Sequence, residues 1–251
     1  MTFTKTISTA WNVFVKHKRL LPLFMLVDGI FILLLTWMQV FFLQKASEHI
    51  FTVQRIMQGQ MSNASQEEMM RLSSSLMQDV AFKAAYDQIL KSIGLFIVCA
   101  FAVWIVLKGF AWLLTIRMVR RVDVKAFFKQ FVLTSLFWFA LFFVLMLFTS
   151  QLQGEWAASI LLIVIGYFYS ICASILPSEK PLRTTWNIAM NWSHMLPVAL
   201  VNALLLFIAT TLPITVSQFN QNIAVALIII IGLPVIAFTR VYWAVAAKGV
   251  K

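Results

Sequence analysis

Residues 20–43, LLPLFMLVDGIFILLLTWMQVFFL, run for 24 positions with a single charged side chain, Asp28. As a helix this stretch rises about 36 Å at 1.5 Å per residue, enough to cross ~30 Å of hydrocarbon. Five more apolar runs follow, at roughly 91–116, 128–149, 156–177, 195–216 and 223–246. None alternates as a barrel strand does, so each predicts a membrane helix. The expected fold is all-α: one integral membrane domain over residues 1–251 with six transmembrane helices. Composition agrees, since 61% hydrophobic and 12% charged residues, with a mean hydropathy of +0.88, leave too few charges to cover a soluble domain. The first run is too long for a signal-peptide core and no small-residue cleavage site follows it, so it is expected to be retained. Cys99 and Cys172 fall inside spans, read as packing residues, and imply nothing about redox compartment.

Charge sets the orientation. Six spans put the segments 1–19, 117–129, 178–194 and 247–251 on one side, and these carry 13 Lys and Arg in 54 residues. The other side (44–90, 150–155 and 217–222) holds Lys45, Arg55, Arg71 and Lys83 against six acidic residues, with Lys91 at the membrane edge. The positive-inside bias therefore predicts cytoplasmic termini in a cell (inner or plasma) membrane. The net charge of +11 faces anionic headgroups, which attract each basic residue by about 1 kcal/mol. Because the basic residues sit at span ends, the pI of 10.0 points to lipid and excludes nucleic acid as the partner.

The entrance to the first span recurs. TAWNVFVKHKRLLP at 9–22 and TTWNIAMNWSHMLP at 184–197 share a Trp-Asn pair followed, eleven residues after the Trp, by Leu-Pro. Phe3, Ile7, Trp11 (with Ala10) and Phe14 fall at helical spacing, with Lys5, Asn12, Lys16 and Lys18 elsewhere on the wheel. This describes an amphipathic helix in the cytoplasmic interface, its Trp at headgroup depth, with Pro22 opening span one. In the second copy Leu182, Trp186 and Ala189 are apolar, Asn187 and Asn191 polar, and Pro197 opens span five. RRVDVKAFFKQF at 120–131 is a weaker third instance. The chain thus reads as three units, each an interfacial helix followed by a helical hairpin. A basic residue followed by a Trp ends spans two (Lys108, Trp112) and six (Arg240, Trp243). Trp11, Trp112, Trp186, Trp192 and Trp243 are the expected interfacial anchors.

Asp28, Lys108, Arg240 and Asn202 fall at one depth, roughly 12 Å below the cytoplasmic interface. Ionisable groups in lipid cost about 2.5–3.5 kcal/mol each, so they turn inward and pair. Consecutive spans make Asp28–Lys108 the natural pair, and Gly29 and Gly109 beside them would permit close helix approach. Three readings stand open: Lys108 and Arg240 snorkel to the headgroups, Asp28–Lys108 is a structural bridge, or the layer is a cytoplasm-facing cationic pocket for a lipid phosphate or small carboxylate.

The segment 44–90 predicts an outward helical hairpin between spans one and two. Gly59 and SNAS mark its turn, Ser65 and Glu68 form a capping box, and Met69, Leu72, Leu76, Met77, Val80 and Ala84 form its seam. Its NAS at 63–65 is a short glycosylation sequon. Met57, Met61, Met69, Met70 and Met77 with His49 read as packing residues rather than a soft-metal site. EEMMR at 67–71 is similar to the glutamate motif of intramembrane CAAX-type proteases, but the Arg is one residue too close and the required histidine helices are missing. His17, His49 and His194 lie in separate segments, and no hydrolase, metalloprotease or phosphate-loop motif is present. We expect no catalytic residues, no metal and no cofactor.

The two entrances, about 40 residues, resemble those of a broad set of prokaryotic six-span membrane proteins, and are similar in style to the membrane domain attached to some glycerophosphodiester phosphodiesterases. These 251 residues contain no phosphodiesterase domain and depart from the pattern in the long outer loop. The resemblance implies fold style alone. The functional expectation is a non-enzymatic accessory, scaffold or assembly subunit with a membrane-protein partner. The alternative is a small transporter or lipid-handling permease, in which helix interruptions at Pro213 and Gly232-Leu-Pro234 would flank the polar layer.

Overall fold

In the computed structural model the chain is helical, with no strand among the described residues, 3–61, 79–149 and 155–250; side chains at 59–61, 147–149 and 155–159 are not among those described. In chain order the elements are α1 (Phe3–Lys16), a 3₁₀ turn (Lys18–Leu20), α2 (Leu21–Met61), α3 (Val80–Val103), a π turn (Trp104–Lys108), α4 (Gly109–Val119), α5 (Val124–Thr149), α6 (Glu155–Ile175), α7 (Pro181–Ala189), α8 (Trp192–Ser217), α9 (Gln221–Leu227), a second π turn (Ile228–Gly232) and α10 (Leu233–Gly249). Among the described residues five stretches are long and apolar enough to cross a membrane: Lys18–Gln58, Val80–Val119, Val124–Met146, Trp192–Ser217 and Gln221–Gly249. Ile160–Ile175, within α6, is a shorter apolar helix. By contact the chain divides into a larger unit, Met1–Ile30 with Ile105–Lys251, and a smaller one, Phe31–Trp104.

The larger unit is built around α10. Every residue from Thr239 to Ala247 is buried, so this stretch of the helix has no outward face. Helices α1, α4, α6 and α8 surround it. Ala237, Ala244, Ala246 and Ala247 keep its surface small enough for neighbouring backbones to come close. Aromatic rings fill the remaining gaps: Phe238 meets Trp11 at 5.9 Å and Phe14 at 5.6 Å, and Trp243 meets Tyr167 at 5.8 Å. Side chains also fasten helix ends. Arg120 donates from Nη2 to the Leu176 carbonyl at 2.8 Å, and Lys248 from Nζ to the Val119 carbonyl at 3.3 Å. Burial pulls the Arg120 guanidinium below its ordinary pKa, and the carbonyl partner favours its charged form.

The smaller unit pairs α2 with α3 through side chains. Phe42 and Phe96 stand 5.9 Å apart, Phe31 and Trp104 5.7 Å. Asp79 starts α3 by accepting the Ala81 and Phe82 amides at 2.8 and 3.0 Å, satisfying two of the four donors that a helix start leaves free.

Several local expectations change. Gly59 lies inside α2 rather than in a turn; Gln58 and Gln60 beside it favour helix enough to carry one glycine. The buried residues of α3 are Phe82 and Ala85, while Val80 and Ala84 are exposed, so the buried face is not the one on which the expected seam residues lie. The capping box, the remaining seam residues, the sequon and EEMMR lie outside the described residues. The third entrance has no separate interfacial helix. The Asp123 side chain accepts the Lys125 amide at 2.9 Å and its carbonyl accepts the Phe127 amide at 3.0 Å, so the chain turns directly into α5. Pro197 does not open α8. The Asn191 carbonyl accepts the His194 and Met195 amides at 3.1 and 2.9 Å and starts the helix earlier.

Pro213 does not interrupt α8 either. Lacking an N–H, it frees the Ala209 carbonyl one turn back. That oxygen faces Gly232, where an added Cβ would stand 3.7 Å from it. Pro234 has the stronger effect: the preceding turn is wound as a π turn, with the Leu233 amide bonded to the Ile228 carbonyl.

The two glycines beside the polar layer differ. A Cβ at Gly109 would stand 3.1 Å from the rings of Phe128 and Phe131 on α5, and Phe131 is fully buried and stacked on Phe127. A Cβ at Gly29 would meet only Leu233, at 3.8 Å. Gly109→Ala is therefore expected to destabilise by about 1–2 kcal/mol through overpacking. Gly29→Ala is expected to be neutral or to stabilise by up to about 1 kcal/mol through helix propensity. Unfolding of the two variants in mixed micelles measures the difference; equal effects would contradict the packing assigned to Gly109.

Candidate functional site

On α2, Phe24, Val27 and Asp28 share one buried face at helical spacing. Asp28 has no solvent exposure, and both of its oxygens are used. Oδ1 accepts from Lys108 Nζ at 2.9 Å and from Arg240 Nη1 at 2.9 Å; Oδ2 accepts from Arg240 Nη2 at 2.6 Å. The Arg240 guanidinium thus grips the carboxylate with two parallel bonds, the strongest geometry available to an ion pair. Its Cζ lies 5.5 Å from the centre of the Phe24 ring, one helical turn before Asp28, which adds a cation–π contact. Lys108 closes the π turn and reaches the same carboxylate, its side chain slightly more exposed than that of Arg240.

The three charged groups sum to +1. Arg240 Nε is buried with no hydrogen-bond partner. Asn202 is buried too, but it donates to the Val198 carbonyl of its own helix at 2.9 Å and leaves its Oδ1 unpartnered. Asp28, Lys108 and Arg240 are thus brought into one cluster, and Asn202 contributes no bond to it. Arg240, which the snorkelling reading sends toward the headgroups, turns inward and becomes the main partner of Asp28. The reason is its place in the stretch 239–247 of α10, which is buried throughout.

The same enclosure corrects two of the five expected anchors. Trp11, Trp186 and Trp192 are 55%, 57% and 56% exposed, as surface-anchoring rings would be. Trp112 and Trp243 are buried at 5% and 7% exposure and belong to the core. Sequence reasoning also missed Phe24, although its spacing of four from Asp28 placed it on the same face. His17 and His194 meet the carbonyls of Val13 and Ala246 at 2.9 and 3.3 Å; a carbonyl only accepts, so His17 Nδ1 and His194 Nε2 carry the protons. Cys172 is buried as expected, while Cys99 is exposed. Among the described residues no three His, Cys, Asp or Glu stand together in a metal-binding group.

No protein-family model, curated protein or solved structure matches the chain.

Removing one member of the cluster has unequal consequences. Asp28→Asn leaves two buried cations facing each other and is expected to cost about 3–5 kcal/mol of stability. Lys108→Met leaves the neutral Asp28–Arg240 fork and is expected to cost within about 1 kcal/mol, with Arg240→Met between the two. Denaturant titration in mixed micelles reads the order; a larger loss for Lys108→Met than for Arg240→Met would contradict it.

Proposed function

We propose that this chain is a non-enzymatic multi-pass membrane protein that serves as an accessory, scaffold or assembly subunit, with the Asp28 cluster as its internal fastening. One observation carries this reading: both oxygens of a fully buried carboxylate are already taken by two cations of the same chain. A carboxylate so satisfied is suited to holding helices together rather than to exchanging a proton or cargo.

The topology proposed with it has six spans, with both termini in the cytoplasm of a cell whose plasma membrane holds the protein. The sixth span is α6, whose 21 residues rise about 31 Å as a helix. The basic bias at one set of span ends supports the orientation. The proposed internal repeat is supported by the two entrances. Ala10 and Thr185, each directly before the Trp, are both buried. Trp11 and Trp186 are both exposed and lie against Phe238 and Phe168, each at 5.9 Å. On this reading anionic headgroups flank the cytoplasmic ends and a second membrane protein is the partner.

The alternative is a small permease with a cationic pocket. Its support is the surplus charge of the cluster, with Arg240 Nε left unpartnered. Replacing the whole cluster separates the two. In the scaffold, Asp28→Leu with Lys108→Met and Arg240→Met exchanges an ion cluster for apolar packing, and stability is expected to stay within about 2 kcal/mol of the parent. A stoichiometric protein partner, identified by mass spectrometry of native-membrane particles, should be retained. If the triple variant folds and the parent shows no partner but binds or moves an anion that the variant does not, the permease reading replaces the scaffold reading.

A further inference from the structure

The smaller unit contains a cleft that the Asp28 cluster does not involve. Within this unit α2 and α3 make no extended backbone contact and are bridged by side chains such as Phe42 and Phe96. Two cavities of about 450 and 190 Å³ lie between them, and they share Phe42 and Ser92 as lining residues. The larger is the more polar of the two, with Lys45, Glu48, His49, Gln88 and Lys91 in its wall beside Phe42 and Leu95. The smaller is mostly apolar, walled by Leu43, Ala46, Ile93 and Phe96 with the shared Phe42, and also by Gln39.

The change from polar to apolar falls where the hydropathy of the chain changes. Lys45 and Lys91 stand at the ends of the apolar runs 20–43 and 91–116. The two cavities overlap at Phe42 and Ser92, and the smaller reaches further into the apolar runs, to Gln39 on α2 and Phe96 on α3. Lys45 and Lys91 are in no ion pair among the described residues, and Lys45 is held over the Phe41 ring at 4.5 Å. With Glu48 opposing, the polar end carries a charge of +1. An apolar gap between helices loses dispersion contacts on both walls unless something fills it.

We propose that this cleft holds one anionic phospholipid, its phosphate against Lys45 and Lys91 and an acyl chain against Phe42, Leu43, Ile93 and Phe96. Charge complementarity selects an anionic headgroup, and the apolar chamber beneath it selects an attached chain over a free anion. The proposal rests on the reading of the chain as membrane-embedded. It does not depend on whether the protein is a scaffold or a permease.

The test is native mass spectrometry of the full chain released from micelles doped with phosphatidylglycerol or phosphatidylcholine, with glycerol 3-phosphate as a soluble competitor. One retained phosphatidylglycerol is expected, favoured on the order of tenfold over phosphatidylcholine, with the two lysines supplying the preference. Lys45→Gln with Lys91→Gln should abolish it. These positions are exposed, so the fold is expected to survive the change. Arg117→Gln with Arg121→Gln, in the larger unit, should leave it intact. Leu43→Trp, which fills the apolar chamber from an exposed position, should lower retention of the lipid. Equal retention of both lipids, displacement by glycerol 3-phosphate, or an unchanged preference in the double lysine variant would each overturn the proposal. Alkaline extraction of membranes tests the underlying reading separately: release of the chain into the soluble fraction would remove the membrane assignment itself.

Discussion

Asp28 is the constraint on which the larger unit depends. It is a carboxylate without solvent exposure, placed on a helix whose segment Leu21–Ile30 has no extended backbone contact with another helix of that unit. Such a group is tolerable only when its charge is matched and its lone pairs are filled. Arg240, 212 residues away, does both with two bonds, and Lys108 adds a third. Long side chains thus reach α2 where backbones do not. The Phe24 ring on α2 lies against the guanidinium, 5.5 Å from its Cζ.

The enclosure of α10 follows from its composition. Alanines at Ala237, Ala244, Ala246 and Ala247 allow four helices to approach it, and Tyr242 and Trp243 fill the space left between them. A residue inside the buried stretch 239–247 cannot send a cation outward, which is why Arg240 is available to Asp28. The price of that packing is a small number of unpartnered polar atoms, among them Arg240 Nε and the Tyr242 hydroxyl. Proline placement falls at the same contact: Pro213 frees a carbonyl that faces Gly232, and Gly232 closes the π turn that precedes Pro234.

The long apolar helices were legible because hydrophobic length is a strong signal that needs no partner to interpret. The short helices α1 and α7 were legible from spacing, but their burial was not. Thr6 and Ala10 on α1, and Thr185 and Ile188 on α7, are buried, and that depends on neighbours far away in the chain. The pairing of Asp28 with Lys108 was read from adjacent spans. The stronger pairing with Arg240 was missed because nothing local distinguishes an inward Arg from one that reaches the headgroups. Trp112 and Trp243 misled for the same reason: a Trp near a span end has identical sequence context whether it anchors at a surface or fills a core. The π turn at Trp104–Lys108 contains no Pro or Gly, so no residue in it announced the change of winding that places Lys108.

The measurement that tests this account most directly is a double-mutant cycle between Asp28→Leu and Arg240→Met, with unfolding free energies determined in lipid-containing micelles. If Asp28 and Arg240 act as one fork, the double variant should be more stable than the sum of the single losses predicts, by about 2–3 kcal/mol. Losses that add to within about 0.5 kcal/mol would mean that the two residues do not depend on each other, and the fastening assigned to α2 would have to lie elsewhere.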